Sequence, residues 1–588
     1  MEWFEWNDEA FSLARERGCP VFLFVKASWC RWCRELEHTV LAAESVAAVL
    51  EERFVCILVD KDRRPDVEAR YTRGGWPTLA YLDDTGEVLA VDNFMEAEEL
   101  VARLELVASY FAESRDEIRE RIEREREEVE RLERPAAIRP SPAALGPRSA
   151  SLSLEIVEEV ARTVRRTADP IHGGWGSRHK FPHPEAIDFA LVRWSQTGEQ
   201  AMLDTVRRTL RRMQAGEIHD SVEGGFYRYA TQPDWSVPHH EKMLDSNAQR
   251  AFAYLDAAQA LGEESFADTA RGVLGWMTET LLDESTGAFR GSQDADAAYA
   301  HLDTLEARRA KGAPPCDPTI FVNWNAQAVT TLLKAGVVLD DGRWTQLAID
   351  TLAFLLEHLF DERFGMYHYF DGTPHLPGML SDQAYTLQAL VAAAQYTGHN
   401  EYLESAECLA KLAVEHLKSE SGAFYDTRHD PRARGGMRQR NRSILENAVM
   451  AEALLRLSCL AHDPDYEDSA REALGAFVSD YRRYGHYVSG YARAVDLLYN
   501  EPMRVTVVGP RTDPLTRSLM RAALRPYVAS RVVQTIDPTS DTALAERLGV
   551  NVCLDGARAF VQRGRESYAE TSDPTRLPAV MTRTERGS

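Results

Sequence analysis

Short continuous apolar runs mark the first 110 positions. Pro20–Lys26 and Phe54–Asp60 read as central strands buried on both faces. Leu79–Leu82 and Val88–Val91 read as a hairpin joined at Asp83-Asp84-Thr85-Gly86. Helix-forming residues fill the intervals, including Glu35–Arg53. This alternation predicts a small α/β domain over 1–110. Glu96–Arg134 predicts one long helix whose second half, mostly Glu and Arg, is a solvated face held by i,i+4 ion pairs. A Pro/Ala-rich linker, Pro135–Pro147, closes the segment 111–150.

From Leu152 to about Asn500 the period changes to that of helices. Gly-aromatic turns recur at Gly173-Gly-Trp-Gly176, Gly224-Gly-Phe-Tyr227, Gly287-Ala-Phe289, Gly365-Met-Tyr367, Gly422-Ala-Phe-Tyr425 and Gly485-His-Tyr487. Each interval is long enough for two helices. Six helical hairpins with their Gly-aromatic loops on one rim predict a closed (α/α)6 toroid over 151–500; an open helical array with C-cap glycines is the alternative. Residues 501–565 return to strand-like and helix-like runs and predict a small βαβ-type appendage. The polar tail 566–588 is expected to lack structure. The fold class is therefore a small α/β domain, an all-α toroid and a small α/β appendage.

Composition narrows the function. The 588 residues suggest about three to four domains, fewer if a helical barrel absorbs several. A 44% hydrophobic and 27% charged content is that of a globular protein. The net charge of -24 argues against a nucleic-acid partner, because phosphate binding needs a basic face. No apolar run is long enough to span a bilayer, and no secretory signal opens the chain, so a cytoplasmic location and no membrane partner are expected. Eight cysteines with one recognisable pair do not form a disulfide framework.

That pair is Cys30-Arg31-Trp32-Cys33, placed between the strand Pro20–Lys26 and a helix. A helix N-terminus favours the thiolate, the reactive form. Cys30, at the helix start, is the expected nucleophile and Cys33 the resolving thiol. Arg31 and Arg34 add positive charge. Pro77, after Trp76, is the candidate cis-proline facing the pair. Strand, Cys-x-x-Cys, helix and a downstream Trp-Pro-Thr together specify a thioredoxin-like motif. A structural or sensing pair without turnover is the alternative. Zinc lacks a second ligand pair, and no metal or other cofactor is expected.

These motifs resemble the thioredoxin-domain family typified by the spermatogenesis-associated protein and its bacterial relatives. The resemblance rests on Cys30-Arg31-Trp32-Cys33-Arg34, on Val59-Asp60-Lys61-Asp62-Arg63-Arg64-Pro65-Asp66 and on Gly74-Gly75-Trp76-Pro77. It implies a thioredoxin-like domain followed by a six-hairpin glycosidase-like barrel. Arg31 and Arg34 stand where the family carries histidines. Phe24 stands where thioredoxin itself carries a buried carboxylate that deprotonates the resolving thiol.

In the helical region the densest chemistry is Pro238-His239-His240-Glu241-Lys242-Met243-Leu244-Asp245, at a loop-to-helix junction. His239, His240, Glu241, Lys242 and Asp245 are the candidate acid–base set. Asp294, Asp296 and Asp382 are candidates for the second carboxylate that glycoside chemistry requires. Trp175, Phe226, Tyr227, Trp235 and Trp324 are candidates for stacking on sugar rings, with Arg228 and Asn325 as polar contacts. Buried ion pairs tying loops to helix ends, and aromatic core filling, are the alternatives for the same residues. The expected function is a thiol–disulfide redox module fused to a barrel that binds or modifies a carbohydrate-like small molecule, with a redox partner protein. A non-catalytic scaffold with degenerate modules is the second reading.

Overall fold

The computed structural model describes residues 2–133, 151–547, 556–563 and 567–585. They form two compact units, Met1–Ala150 with His429–Asn441, and Ser151–Arg428 with Arg442–Ser588. The linker 135–147 and the strand expected at 550–554 lie outside the described residues.

The first unit is a five-stranded sheet flanked by helices. Its elements are β1 (Trp3–Phe4), α1 (Asp8–Arg17), β2 (Val21–Lys26), α2 (Arg31–Glu35), α3 (Glu44–Arg53), β3 (Val55–Asp60), α4 (Pro65–Tyr71), β4 (Thr78–Leu82), β5 (Val88–Asp92), α5 (Ala97–Glu113) and α6 (Arg115–Glu133). The sheet order is β1-β3-β2-β4-β5, with β2 and β3 parallel and β4 and β5 antiparallel to their neighbours. The apolar runs of β2 and β4 are buried along their length, as strands covered on both faces must be. Two predicted helices are broken. The stretch after the cysteines passes through a wide π turn at Leu36–Val40 before α3. The long acidic helix is interrupted at Ser114, whose backbone leaves helical geometry. The break lets Ile118 and Ile122 of α6 bury against Phe111 and Leu89, a small apolar cluster that outweighs helix continuity.

The segment His429–Asn441 corrects the expected boundaries, because it belongs to this unit although its neighbours in sequence are helices of the second. Met437 packs on the sheet core. The Gly436 amide donates to the Tyr71 hydroxyl (2.9 Å), which itself donates to the Gly86 carbonyl (2.8 Å). Arg70 donates to the Gln439 carbonyl (3.0 Å), and Arg434 pairs with Asp8 (2.8 Å).

The second unit is built of outer and inner helices in alternation. They are α7 (Leu154–Thr167), α8 (Pro184–Thr197), α9 (Gln200–Ala215), α10 (Leu244–Leu261) and α11 (Glu264–Trp276), then the short α12 (Ala297–Ala300) and α13 (Leu305–Lys311). After these come α14 (Val322–Val338), α15 (Gly342–His358), α16 (Leu380–Thr397), α17 (Glu401–Leu417), α18 (Ile444–Ala461), α19 (Pro464–Gly475) and α20 (Ser489–Tyr499). Inner helices α8, α10, α14, α16, α18 and α20 each pack on the next, and α20 returns to α8. The ring is thus closed, an (α/α)6 toroid, as the recurring turns predict.

Each inner helix follows one of those Gly-aromatic loops in the chain, α20 directly and α14 only after α12 and α13. Four of them hold their loop by one device at the fourth helical position. Asn247 of α10 accepts from the Phe226 amide (2.6 Å) and donates to its carbonyl (3.0 Å). Asn325 does the same for Phe289, Gln383 for Met366 and Asn447 for Phe424. A buried amide side chain that satisfies both backbone groups of a loop residue keeps otherwise costly polar atoms paired. The glycines allow the close approach: at Gly224 (φ 80°) a Cβ would stand 2.2 Å from the Gly272 carbonyl oxygen.

The appendage forms a four-stranded sheet in the order Arg531–Ile536, Met503–Val508, Arg558–Arg563, Ser567–Thr571, with the helix Pro514–Leu524 crossing between its parallel pair. It reaches further than predicted. Ser567–Thr571 is a strand and Leu577–Glu585 a helix, where a structureless tail is expected from composition. Leu577 and Met581 are buried in the appendage core, and two well-placed apolar residues suffice to order an otherwise polar segment.

Candidate functional site

In the first unit, β2 ends at Lys26 and the chain turns through Ala27–Trp29 into Cys30, the N-cap of α2. The Cys33 amide donates to Cys30 Sγ at 3.4 Å, and Cys30 Sγ lies 3.9 Å from the Trp76 carbonyl oxygen. The Trp76–Pro77 bond is cis. Cys30 is 9% exposed and Cys33 1%, so Cys30 is the thiol nearer to solvent. The hydrogen bond with Cys30, followed by burial, pushes the Cys33 thiol well up, as a resolving thiol that ionises second requires. Phe24 is buried in β2 and supplies no carboxylate. The charge of Cys30 adds to the rise at Cys33, and Asp60, at the end of β3 opposite Lys26, adds a smaller upward push. Trp29 Nε1 donates to Asp62 (2.7 Å), fixing the residue before Cys30, and Trp32 stands 55% exposed against Phe94.

In the second unit the predicted acid–base set divides. Lys242 and Arg308 both pair with Asp220, at 2.5 and 2.6 Å, with all three side chains buried. Burial alone would raise Asp220, but the two cations outweigh it and hold the carboxyl at about 2. Glu241 is buried, 3.4 Å from Arg228 and 3.8 Å from His239 Nδ1. Burial, with His301 next, lowers His240 to about 4. These residues tie a loop to α10, and the cluster is a structural lock. Asp245, in the first turn of α10, is the member whose charge reaches the ring axis.

The predicted stacking aromatics are corrected in the same way. Trp175, Phe226 and Trp235 are fully buried; the Trp175 indole donates to the Val164 carbonyl (2.9 Å) and that of Trp235 to His172 (2.8 Å). Tyr227 packs on the Lys242 ammonium, Trp324 on Phe321, and Asn325 is a loop clamp. Asp296 caps α12 and pairs with Lys311 (2.5 Å), and Asp294 donates its amide to the Pro315 carbonyl (2.9 Å). The fully buried rings of Trp175, Phe226 and Trp235 do not face a ligand. Asp382 is also buried, bonded to His368 Nδ1 (2.9 Å) and to the Asn323 amide (3.1 Å), with its carboxyl raised by burial against the pull of His368.

What the ring encloses instead is an axial cavity of about 540 Å3, lined by all six inner helices. Near the helix N-termini stand His183, Glu185, Tyr385, Leu445, His486 and Tyr487. A connected vestibule of about 350 Å3 shares His183, Glu185 and Tyr487 and adds Arg228 and Arg250. Deeper are Asp188, Asp256, Lys334, Glu452, Arg456 and Arg493.

Several of these groups have displaced acidities. Burial, aided by Asp245, raises Glu185. Outside the lining, burial raises Glu446 of α18 to about 7, with Asp426 and Asp382 adding to the shift. Burial raises Asp188 to about 7 although Arg493 opposes it. Burial also lifts Tyr385, on which the charges of Glu185, Glu446 and Asp245 bear, and presses His183 down to about 3. Carboxyls that hold a proton near neutrality, beside carboxylates that do not, are what acid–base chemistry on a hydroxylated ligand uses. Glu185, Asp188, Tyr385 and Glu446 were missed from the sequence. Their signal is a first- or second-turn position on an inner helix.

Residues 1–133 match a family model described as Thioredox_DsbH, a protein of unknown function (DUF255). The chain is 24% identical to spermatogenesis-associated protein 20 of Homo sapiens over 99% of this chain and 90% of that protein. It is 29% identical to the Mus musculus protein of the same name over 58% of this chain and 43% of that one. Among solved structures, a sugar epimerase from a ruminal bacterium superposes with a TM-score of 0.47 at 12% identity, covering 58% of this chain and 98% of that one. The family resemblance carried by the cysteine and Gly-Gly-Trp-Pro motifs thus extends along the whole chain, which is a thioredoxin-like module fused to a six-hairpin toroid. Among the described residues no helix is long and apolar enough to cross a membrane.

Proposed function

We propose that Cys30 and Cys33 carry out thiol–disulfide exchange, and that the toroid binds or modifies a sugar-like ligand in its axial cavity. The observation that carries the redox half is the placement of Cys30 Sγ: it caps α2, accepts the Cys33 amide at 3.4 Å and lies beside the Trp76 carbonyl. In the exchange, the Cys30 thiolate attacks one sulfur of a partner disulfide and the other sulfur leaves as a thiolate. Cys33 then attacks Cys30 Sγ, freeing the partner as a dithiol and leaving a Cys30–Cys33 disulfide. Reduction of insulin disulfides with dithiothreitol as the regenerating dithiol tests this step. The wild type is expected to accelerate it and Cys30→Ser to fall to background; equal rates remove the redox assignment.

The sugar half is supported by the cavity. Its size falls within the range of about 300–1,000 Å3 that encloses a small ligand. Its walls mix tyrosines with Glu185 and Asp188, acids whose carboxyls are raised above the ordinary range. The ligand-binding groups we assign are Glu185, Tyr385, Asp188 and Arg493. The scaffold reading keeps the His239–Asp245 cluster as structure only, and it becomes the whole account if neither module shows activity or binding.

A further inference from the structure

The axial cavity ends blind, and the appendage closes it. Leu524, Tyr527, Val528, Ala529 and Arg531, all from the appendage, line it together with the inner helices. This floor is tied to four of the six helices, to α10, α16 and α18 toward their C-terminal ends and to α20 in its second turn. Gln259 of α10 donates to the Leu524 and Arg525 carbonyls (3.0 and 2.9 Å). Gln395 of α16 accepts from the Val533 amide (3.2 Å). Arg456 of α18 donates to the Arg531 carbonyl (3.1 Å), and Arg493 of α20 to that of Ala529 (2.5 Å). At the other end Leu445 and Tyr487 line the cavity and are 47% and 54% exposed, so the open mouth is at the helix N-termini.

The charges inside cancel. Lys334 pairs with Asp256, Arg456 with Glu452 (2.8 Å), and Arg493 lies 3.6 Å from Asp188. The Arg531 guanidinium is occupied by the Ala523, Leu524 and Pro526 carbonyls. Glu185 has no ion-pair partner among the described residues and keeps its proton more readily than an ordinary glutamate. The lining thus sets four acids, Glu185, Asp188, Asp256 and Glu452, against four bases, Lys334, Arg456, Arg493 and Arg531, a formal charge of zero, so neither an acidic nor a cationic ligand meets an excess of opposite charge.

We infer that the ligand is a short neutral saccharide, or the terminal one or two rings of a longer one, entering end-on from the α8–α20 mouth and stopped by the Leu524–Arg531 floor. This rests on the sugar-binding reading above. A cavity sealed at one end cannot thread a chain, so contacts stop accumulating once the pocket is filled. Ala529 and Val528 set its depth, and Tyr385 and Tyr487 offer ring faces near its mouth.

Titration calorimetry on the full chain tests the inference, using glucose, mannose, galactose and N-acetylglucosamine, their disaccharides and hexasaccharides, and glucuronic acid. Affinity is expected to rise from one ring to two and to level off from two to six. Glucuronic acid is expected to bind more weakly than glucose. Ala529→Trp, which fills the floor, should weaken the disaccharide by about tenfold or more. The length series on the wild type stands even if that variant fails to fold. Affinity that keeps climbing to six rings, or a preference for the uronic acid, overturns the inference and leaves sugar binding intact. No binding by any of these sugars overturns both.

Discussion

Two segments of this chain carry equally dense chemistry in their sequences, Cys30–Cys33 and His239–Asp245, and they end differently. Cys30 caps a helix start, more exposed than Cys33, with an amide and a carbonyl beside its sulfur. In the second segment Lys242 is shut in with Asp220 and Arg308, Glu241 is buried beside Arg228, and the histidines pack on tyrosines. Cys30 is held in no disulfide and stands at a helix start, whereas the second segment's charges are paired with one another. A motif's polarity therefore says less about function than where the fold places it. By that measure the groups of the toroid to test are dispersed ones, Glu185, Asp188 and Tyr385, which line one cavity only because six helices close a ring.

The comparison breaks most sharply at the cysteines. Cys33→Ser is expected to arrest exchange after the first step and to accumulate a mixed disulfide through Cys30, read as an adduct by intact-protein mass spectrometry. Adducts through Cys33 in a Cys30→Ser variant would reverse the assigned roles. Next in size is Lys242→Met, which strands Asp220 beside a single cation. It should cost the second unit about 3–5 kcal/mol in urea unfolding, because one partner of a buried ion pair is removed. Wild-type stability in that variant would contradict the structural lock.

A smaller effect is expected at the loop clamps. Asn447→Ala leaves the Phe424 amide and carbonyl unpaired, at about 1–3 kcal/mol for each buried group, with insulin reduction by the first unit unchanged. The smallest is a pH effect. Glu446 is raised to about 7 in the fold, above its unfolded value, so the folded state binds the extra proton and this group's contribution to stability falls as pH rises from about 4.5 to 7. Glu446→Gln removes that dependence, so relative to wild type it should gain about 1–3 kcal/mol across the interval. A parallel pH profile for the two proteins would mean that Glu446 ionises as an exposed carboxylate does.

The thioredoxin-like unit was legible because its information is local. Continuous apolar runs mark its strands, and strand, cysteines and helix follow one another within some fifteen residues. The toroid was legible at the level of its period, since every helical pair ends on a Gly-aromatic loop. Its site was not. A single acid in the first turn of a helix, such as Glu185 or Glu446, looks like ordinary complement to the helix dipole. Only closure of the ring brings such acids around Tyr385. The Trp175 and Trp235 rings misled because stacking residues and core residues share one composition. The segment His429–Asn441 was unreadable for a related reason. Gly435, Gly436 and Met437 find their partners at Gly86, Tyr71 and the sheet core, some 350 residues away in sequence.

The central claim is that the toroid's ligand site is the axial cavity and not the His239–Asp245 cluster. The most direct measurement compares Glu185→Gln with Glu241→Gln for binding of the tightest neutral disaccharide by titration calorimetry, with folding checked by circular dichroism. The account predicts a loss of affinity of about tenfold or more for Glu185→Gln and wild-type affinity for a folded Glu241→Gln. Loss at Glu241 with full binding at Glu185 would contradict it.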